Sequence, residues 1–310
     1  METTAPALTV THRSVVTEDQ IDHLGHMNVR FYGVNATAGM RALLTALGAP
    51  TDRRVRLVDV YTRHHREQML GTHLVVRSGV VDATDGELVL YHELSNEQTD
   101  VLAATFVHRV RLDGTVGEAA DLPAELAAQA RAATIAIPPH GATRSISLGA
   151  DLIASAPTRA ELSARGLAIR KVRAITPEEC NPDGAYNASM AAMLLWGGES
   201  FDTRSPEALL QGPNGERMGW ASMETRLSVR RLPQRGDRIQ SFSAVIGIAD
   251  KILHHLMWSF DVEADELLVT FEIVNLAFDT VSRRPMQIPD RIRAAETALL
   301  QTDLAPRPVA

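Results

Sequence analysis

The chain predicts an α+β architecture of two tandem repeats, each a long helix packed on an antiparallel sheet. Three observations carry this prediction. Residues Val16 to Asn28, VTEDQIDHLGHMN, align without a gap on Ile175 to Asn187, ITPEECNPDGAYN. Each stretch is followed by a Pro-free run rich in Ala, Leu and Met. Each of those runs is followed in turn by alternating apolar stretches in the same order.

In chain order, Phe31 to Leu47 reads as the first helix, because its strong helix formers are unbroken by Pro. The segment VRLVDVYTRHHREQMLGTHLVV then supplies two strand-like stretches, with Gly71 at the turn between them. GELVLYHELS and LAATFVHRVRLD alternate with β-branched and aromatic residues, the pattern of half-buried strands. The second copy repeats the order. Ala188 to Trp196 reads as a helix weakened at its end by Gly197-Gly198. SMETRLSVRRLPQRGDRIQSFSAV follows with Gly236 at the matching turn, then DKILHHLMWSF and LVTFEIVNLAFD. We expect a first repeat over 1–120, a connector over 121–167 and a second repeat over 168–310. Within the connector, DLPAELAAQARAA reads as a short helix beginning near an Asp121 cap. Pro138-Pro139-His140-Gly141 marks a break, and SAPTRAELSARGL reads as another short helix.

Composition narrows the functional classes. With 45% hydrophobic and 22% charged residues, the profile is that of a soluble globular protein. A net charge of −7 without a long basic run argues against nucleic acid as a partner. No apolar stretch is long enough to span a bilayer, and METTAPALTV lacks the basic flank and apolar core of a secretory signal. Cys180 is the single cysteine, so no intrachain disulfide forms and a cytoplasmic, reducing location is expected. Its aligned partner is Ile21, which favours a small buried apolar role over a nucleophile.

The two copies differ where chemistry would be. Thr17 aligns with Thr176, Gly25 with Gly184 and Asn28 with Asn187, but Asp22 falls on Asn181 and His26 on Ala185. A group needed by the fold survives in both copies, whereas a group needed only for chemistry survives in one. Asp22 and His26 are therefore the catalytic candidates, while Gly25, Gly184 and the two Asn residues serve the scaffold first.

Helix-then-strands halves carrying D-x-x-G-H-x-N-x-x-x-Y, here Asp22, Gly25, His26, Asn28 and Tyr32, resemble the hotdog fold of acyl thioesterases. Two copies in one chain resemble the double hotdog, in which one polypeptide mimics the dimer of single-hotdog proteins. The likeness extends to 4-hydroxybenzoyl-CoA thioesterase-like and acyl-carrier-protein thioesterase-like enzymes; Leu24 stands where the plant members of the latter carry Asn. The resemblance implies hydrolysis of an acyl-thioester, acyl-CoA or acyl-ACP, by carboxylate-assisted attack of water. It places Asp22 at the position of the catalytic acid, with His26 and Asn28 beside it. A second branch carries a catalytic Glu on the facing half's helix, which makes Glu199 a weaker candidate. Backbone N–H groups of a helix starting near His26 would stabilise the oxyanion, and Gly25 would let the carbonyl approach. Met27 and Tyr32 would line the substrate site. Arg231 and Arg235, flanking a Leu-Pro-Gln turn, could reach coenzyme A phosphates.

No metal and no separate cofactor are expected, since coenzyme A is part of the substrate. Adjacent strand residues such as His64-His65 and His254-His255 point to opposite faces and cannot chelate one ion together. Further pairing of double units into homo-oligomers is open to such a fold. Three rivals remain open: a hotdog hydratase or dehydratase on enoyl- or 3-hydroxyacyl-thioesters, an acyl transferase or decarboxylase, and a non-catalytic acyl-thioester binder.

Overall fold

The computed structural model describes residues 7–22, 24–84, 86–113, 121–168, 172–181, 184, 186–187 and 217–307. The chain divides into two compact units, Met1–Ala142 and Thr143–Ala310.

In the first unit, helix α1 spans Val29–Ala46. Strand β1, Thr9–Val15, precedes the motif and was not expected; the four strands after the helix follow the expected order, β2 Arg54–His64, β3 His73–Ala83, β4 Leu88–Asn96 and β5 Leu102–Asp113. They pair antiparallel in the order β1-β3-β4-β5-β2. Helix α1 lies across the inner face of this sheet. Period-2 alternation sends Leu88, Leu90 and Leu94 of β4 inward, with Phe106, Val110 and Leu112 of β5. They meet Tyr32, Ala36, Met40, Leu43 and Leu44 of α1, all at most 6% exposed. Burying each such Leu contributes about 2 kcal/mol. Helix and sheet approach closely at Gly39, where an added Cβ would stand 2.6 Å from Val76 and 2.9 Å from Thr11. A short helix α2, Ala124–Ala132, extends one end of this core through Leu126, Ala127 and Ala130. Its N-cap residue is Pro123, which has no side chain able to cap, so the expected Asp121 cap does not form.

The second unit repeats the sheet. Strands β6 Arg173–Ala174, β7 Met218–Val229, β8 Arg238–Ile248, β9 Ile252–Asp261 and β10 Glu266–Asp279 pair in the order β7-β10-β9-β8-β6. Even the irregularities recur. The β2–β5 ladder skips Val58 and the β7–β10 ladder skips Met223, each five residues ahead of the corresponding Arg63 or Ser228. The β3–β4 ladder skips Val81 and β8–β9 skips Ile246. Bulges at the same register in both copies are the mark of one inherited scaffold. The predicted second helix, Ala188 to Trp196, lies outside the described residues, as do Glu199 and Asp183.

The outer face of the second sheet is covered by Leu152 and Ile153, by helix α3 (Arg159–Ala164) through Leu162, and by Leu304 near the C-terminus. Helix α3 carries a capping box from Thr158 and Glu161, as its sequence suggests. Helix α4, Asp290–Thr297, packs through Ile292. Buried Glu224 accepts backbone N–H bonds from Arg144 (3.0 Å), Ser145 (3.1 Å) and Ile146 (3.5 Å). Buried Arg226 donates to the Ser147 carbonyl at 2.7 Å. Residues 144–147 are thus pinned to β7 by charge-assisted bonds. Among the described residues, no helix is long and apolar enough to cross a membrane.

Candidate active site

The aligned motifs fold into the same turn in both units. Gly25 N–H donates to the Asp22 carbonyl at 3.0 Å, and Gly184 N–H to the Asn181 carbonyl at 2.9 Å. Both glycines sit at φ +82°, in the left-handed region that favours Gly. Asn28 N–H donates to Gln20 at 2.9 Å, and Asn187 N–H to Glu179 at 3.0 Å. Met27 N–H reaches back to the Gln68 carbonyl at 2.7 Å, and Tyr186 N–H to the Pro233 carbonyl at 2.8 Å. This last bond brings a second chain segment, 66–68, alongside the motif.

Helix α1 begins at Val29 rather than near His26, with Asn28 as its N-cap. Asn28 Oδ1 accepts from Arg30 N–H at 3.1 Å, which gives Asn28 a structural duty consistent with its presence in both copies. Asp22 is half-fixed: one carboxylate oxygen accepts from Leu24 N–H at 2.9 Å, and the other lies 3.5 Å from His26 Nδ1. His26 Nδ1 also faces the Met27 carbonyl at 3.3 Å. A carbonyl can only accept, so this nitrogen carries the proton in that contact. On its far side, His26 Nε2 lies 3.3 Å from Glu67 Oε1. The imidazole is therefore held between two carboxylates. The side chains of His26 and Asp22 are 10% and 14% exposed, and that of Glu67 is 39% exposed.

Glu67 is the residue that sequence reasoning missed. It sits 45 positions beyond Asp22, and only the Met27–Gln68 bond places it at the motif. The repeat held the signal. Gln68 and Pro233 are the matching acceptors, so Glu67 corresponds to Leu232. Asp22, His26 and Glu67 converge in the first copy, and their counterparts are Asn181, Ala185 and Leu232. All three chemical groups are lost together.

The other candidates fall in different places. Tyr32 is buried and donates to the Arg66 carbonyl at 3.2 Å. Burial pushes its phenol well up, and the charges of Glu67 and Asp22 add to that, so Tyr32 is a neutral donor. Its ring meets His64 edge-on at 5.4 Å, and burial beside His65 pushes His64 down to about 4. Met27 is fully buried in the core under α1. Gly25 is exposed, with open space where a Cβ would stand. Leu24, Val29, Met69 and Leu70 are exposed apolar residues of this motif, the helix start and the 66–70 segment. In the second unit, Arg231 is held by Asp237 (2.7 Å), Asp261 (2.8 Å) and Glu266 (3.5 Å). Arg235 is exposed. Cys180 is half-buried rather than buried, with its thiol 3.5 Å from the Thr176 carbonyl. Among the described residues, no group of three or more His, Cys, Asp or Glu side chains is placed to hold a metal ion.

Known proteins resemble this arrangement. Residues 15–130, which contain the Asp22–His26–Glu67 set, match the Thioesterase-like superfamily. No curated protein matches the chain in sequence. Among solved structures, a protein described as an oleoyl thioesterase from Lactobacillus plantarum superposes with a TM-score of 0.63 at 13% identity, covering 88% of this chain and 97% of that one. An acyl-ACP thioesterase from Bacteroides thetaiotaomicron gives 0.62 at 8% identity, covering 86% and 97%. The 12:0-ACP thioesterase from Umbellularia californica gives 0.61 at 10% identity, covering 87% and 94%. At such identities the likeness establishes the fold. The tandem hotdog architecture expected from the sequence is borne out.

Proposed function

We propose that this double-hotdog chain, whose first unit matches the thioesterase-like superfamily, hydrolyses an acyl-thioester at Asp22, His26 and Glu67. The observation that carries the reading is the joint presence of these three groups in one copy and their joint replacement by Asn181, Ala185 and Leu232 in the other. Scaffold needs alone would have kept them in both, since both turns are built on the same backbone bonds.

The chemistry follows from the donor set. Asp22 takes a proton from water as the oxygen attacks the thioester carbonyl. The oxyanion is met by the N–H of Val29, the first helical residue, which has no intrahelical acceptor, and by the positive end of α1. The open space over Gly25 leaves room for the carbonyl. As the C–S bond breaks, the electron pair leaves with sulfur, and the proton that Asp22 took from water passes from its carboxyl group to the thiolate, while His26 Nδ1–H faces and orients Asp22. Glu67 faces His26 Nε2 from its far side and holds the ring in the orientation that presents Nδ1–H to Asp22. Exposed Leu24, Val29, Met69 and Leu70 offer apolar contact to the acyl-carrying arm. The carrier in this reading is coenzyme A, with exposed Arg66 beside Glu67 available to its phosphates. The enzyme needs no metal or separate cofactor and works in the cytoplasm.

The test is thiol release from a panel of acyl-CoA and acyl-ACP esters, short, long and aryl, by the wild type and by Asp22→Asn. Turnover that falls at least about a hundredfold in the variant supports the proposal. Release from acyl-ACP alone would reassign the carrier. No release from any ester would discard hydrolysis and favour an acyl-thioester binder.

A further inference from the structure

The carboxylate that faces His26 from its far side stands on a segment without regular structure. Residues 65–69 belong to neither strand nor helix, and Arg66, Glu67 and Met69 are exposed. Backbone outside the ladders does not fix a side chain by itself. The ends of the segment are tied down. The N–H groups of His65 and Arg66 both reach the Ala103 carbonyl, at 2.8 and 3.1 Å, and Gly71 N–H reaches the Val16 carbonyl at 2.9 Å. Glu67 lies between these ties.

The bonds around Glu67 itself converge on one atom. The Tyr32 hydroxyl donates to the Arg66 carbonyl at 3.2 Å, and the backbone N–H of Gln68 faces the same phenol oxygen. These are the two peptide groups that flank Glu67, so one oxygen grips the chain on both sides of it. Tyr32 is buried, and its ring is set by the edge of His64 with centroids 5.4 Å apart. Gln68 is buried among exposed neighbours. Its side chain donates to the Arg66 carbonyl at 3.3 Å, and its carbonyl accepts from Met27 N–H at 2.7 Å.

The second unit shows which of these bonds serve the scaffold. There the N–H groups of Arg230 and Arg231 reach the Leu268 carbonyl at 3.0 and 3.2 Å, Gly236 N–H reaches Ile175 at 3.0 Å, and Tyr186 N–H reaches Pro233 at 2.8 Å. Each matches a bond of the first unit. The phenol grip has no such counterpart. The gapless alignment, continued into the helix, sets Ala191 against Tyr32, and the matching acceptors set Pro233 against Gln68. The second copy therefore carries neither the hydroxyl nor the amide N–H that faces it. Both are lost in the copy whose counterpart of Glu67 is Leu232. The segment closes there without them, so closure is not what the phenol is for.

We propose that Tyr32 is a positioning residue, whose hydroxyl holds the peptides on either side of Glu67 so that the carboxylate faces His26 Nε2. The 3.3 Å contact between Glu67 and His26 is then set from the core and not by the exposed loop. Tyr32 acts through Glu67 and touches no substrate, unlike the substrate-lining place that the motif resemblance implies. Its effect on turnover rests on the thioesterase reading above, whereas its effect on His26 does not.

The experiment compares Tyr32→Phe, Glu67→Gln and the double variant by the nitrogen resonances of the His26 ring at fixed pH and by thiol release. Phe keeps the buried ring and removes only the hydroxyl. Tyr32→Phe is expected to move the His26 Nε2 resonance in the direction that Glu67→Gln moves it. It should lower kcat about tenfold, the size of one neutral hydrogen bond, with KM little changed. In the Glu67→Gln background the same substitution should alter neither the resonance nor kcat, because no carboxylate is left to place. An unmoved resonance in Tyr32→Phe or in Glu67→Gln overturns the proposal. So does an equal loss of kcat in both backgrounds, the result of a core that has merely loosened. Should Tyr32→Phe fail to fold, Gln68→Pro takes its place: it carries the second unit's own residue, removes the amide N–H alone and must move the resonance in the same direction, or the proposal falls. A moved resonance in a protein that releases no thiol from any ester would overturn hydrolysis and leave this inference standing.

Discussion

Replacing Asp22 by Asn separates chemistry from folding because the chain has already made that substitution in its second copy. Asn181 occupies the matching turn, where Gly184 N–H still reaches the backbone carbonyl at 2.9 Å. In Asp22→Asn the side-chain oxygen that accepts from Leu24 N–H at 2.9 Å remains, and no backbone bond is touched. What disappears is the negative charge 3.5 Å from His26 Nδ1. The expected stability change is under about 1 kcal/mol, since one partly solvated contact is weakened and nothing buried is left unpaired. The expected rate loss is far larger. Removing a positioned general base costs about 10²–10⁴ in rate, or about 3–5 kcal/mol of transition-state stabilisation. The assay is thiol release under saturating and subsaturating ester, with the urea midpoint measured on the same preparations. The loss should lie in kcat, with KM little changed. A variant within about threefold of wild type and with an unchanged midpoint would refute the reasoning and leave Asp22 as a turn former. A rate loss matched by a collapsed midpoint would refute it as well.

Glu67→Gln is expected to lower kcat by roughly tenfold to a hundredfold with little change in the urea midpoint, because Glu67 acts through His26 and its side chain is 39% exposed; an unaffected kcat would remove it from the site. Gly25→Ala should cost about 1 kcal/mol from the φ of +82° alone, since space for the methyl is open, read as a lowered midpoint; no change would contradict the turn geometry. Stability should fall on acidification. The native His108 value of about 4 lies below the ordinary 6.5, so the unfolded chain binds more protons between them. The resulting loss is absent above pH 6.5 and grows to about 3 kcal/mol as pH falls to about 4. His108→Ile should flatten that part of the stability–pH curve, and an equal slope in both proteins would argue against it. Glu224→Ala leaves the amides of Arg144, Ser145 and Ile146 without their carboxylate and should cost about 3 kcal/mol or more in urea unfolding; a cost near zero would show that residues 144–147 are held by other contacts.

Much of the fold was legible because its signals are local. The unbroken helix formers after Asn28 gave α1, and alternation gave β4, β5, β9 and β10 nearly to their ends. Local errors had local causes. The start of α1 moved from near His26 to Val29 because Asn28, not a residue of the turn, caps it. The Asp121 cap failed because the helix begins after Pro123. Within the site, Asp22 and His26 stood out because they share one turn and differ between copies. Glu67 did not, because nothing in its neighbourhood marks it as chemical.

The sequence by itself determined the duplicated scaffold and the copy that keeps reactive groups, since both are written in residue order and in a gapless alignment. Only the tertiary structure decided that Glu67 faces His26, and that the buried rings of His92 and His108 meet edge-on across β4 and β5. Those contacts depend on which strand lies beside which and in what register. Alternation says that a side chain points inward; pairing alone says what it meets there.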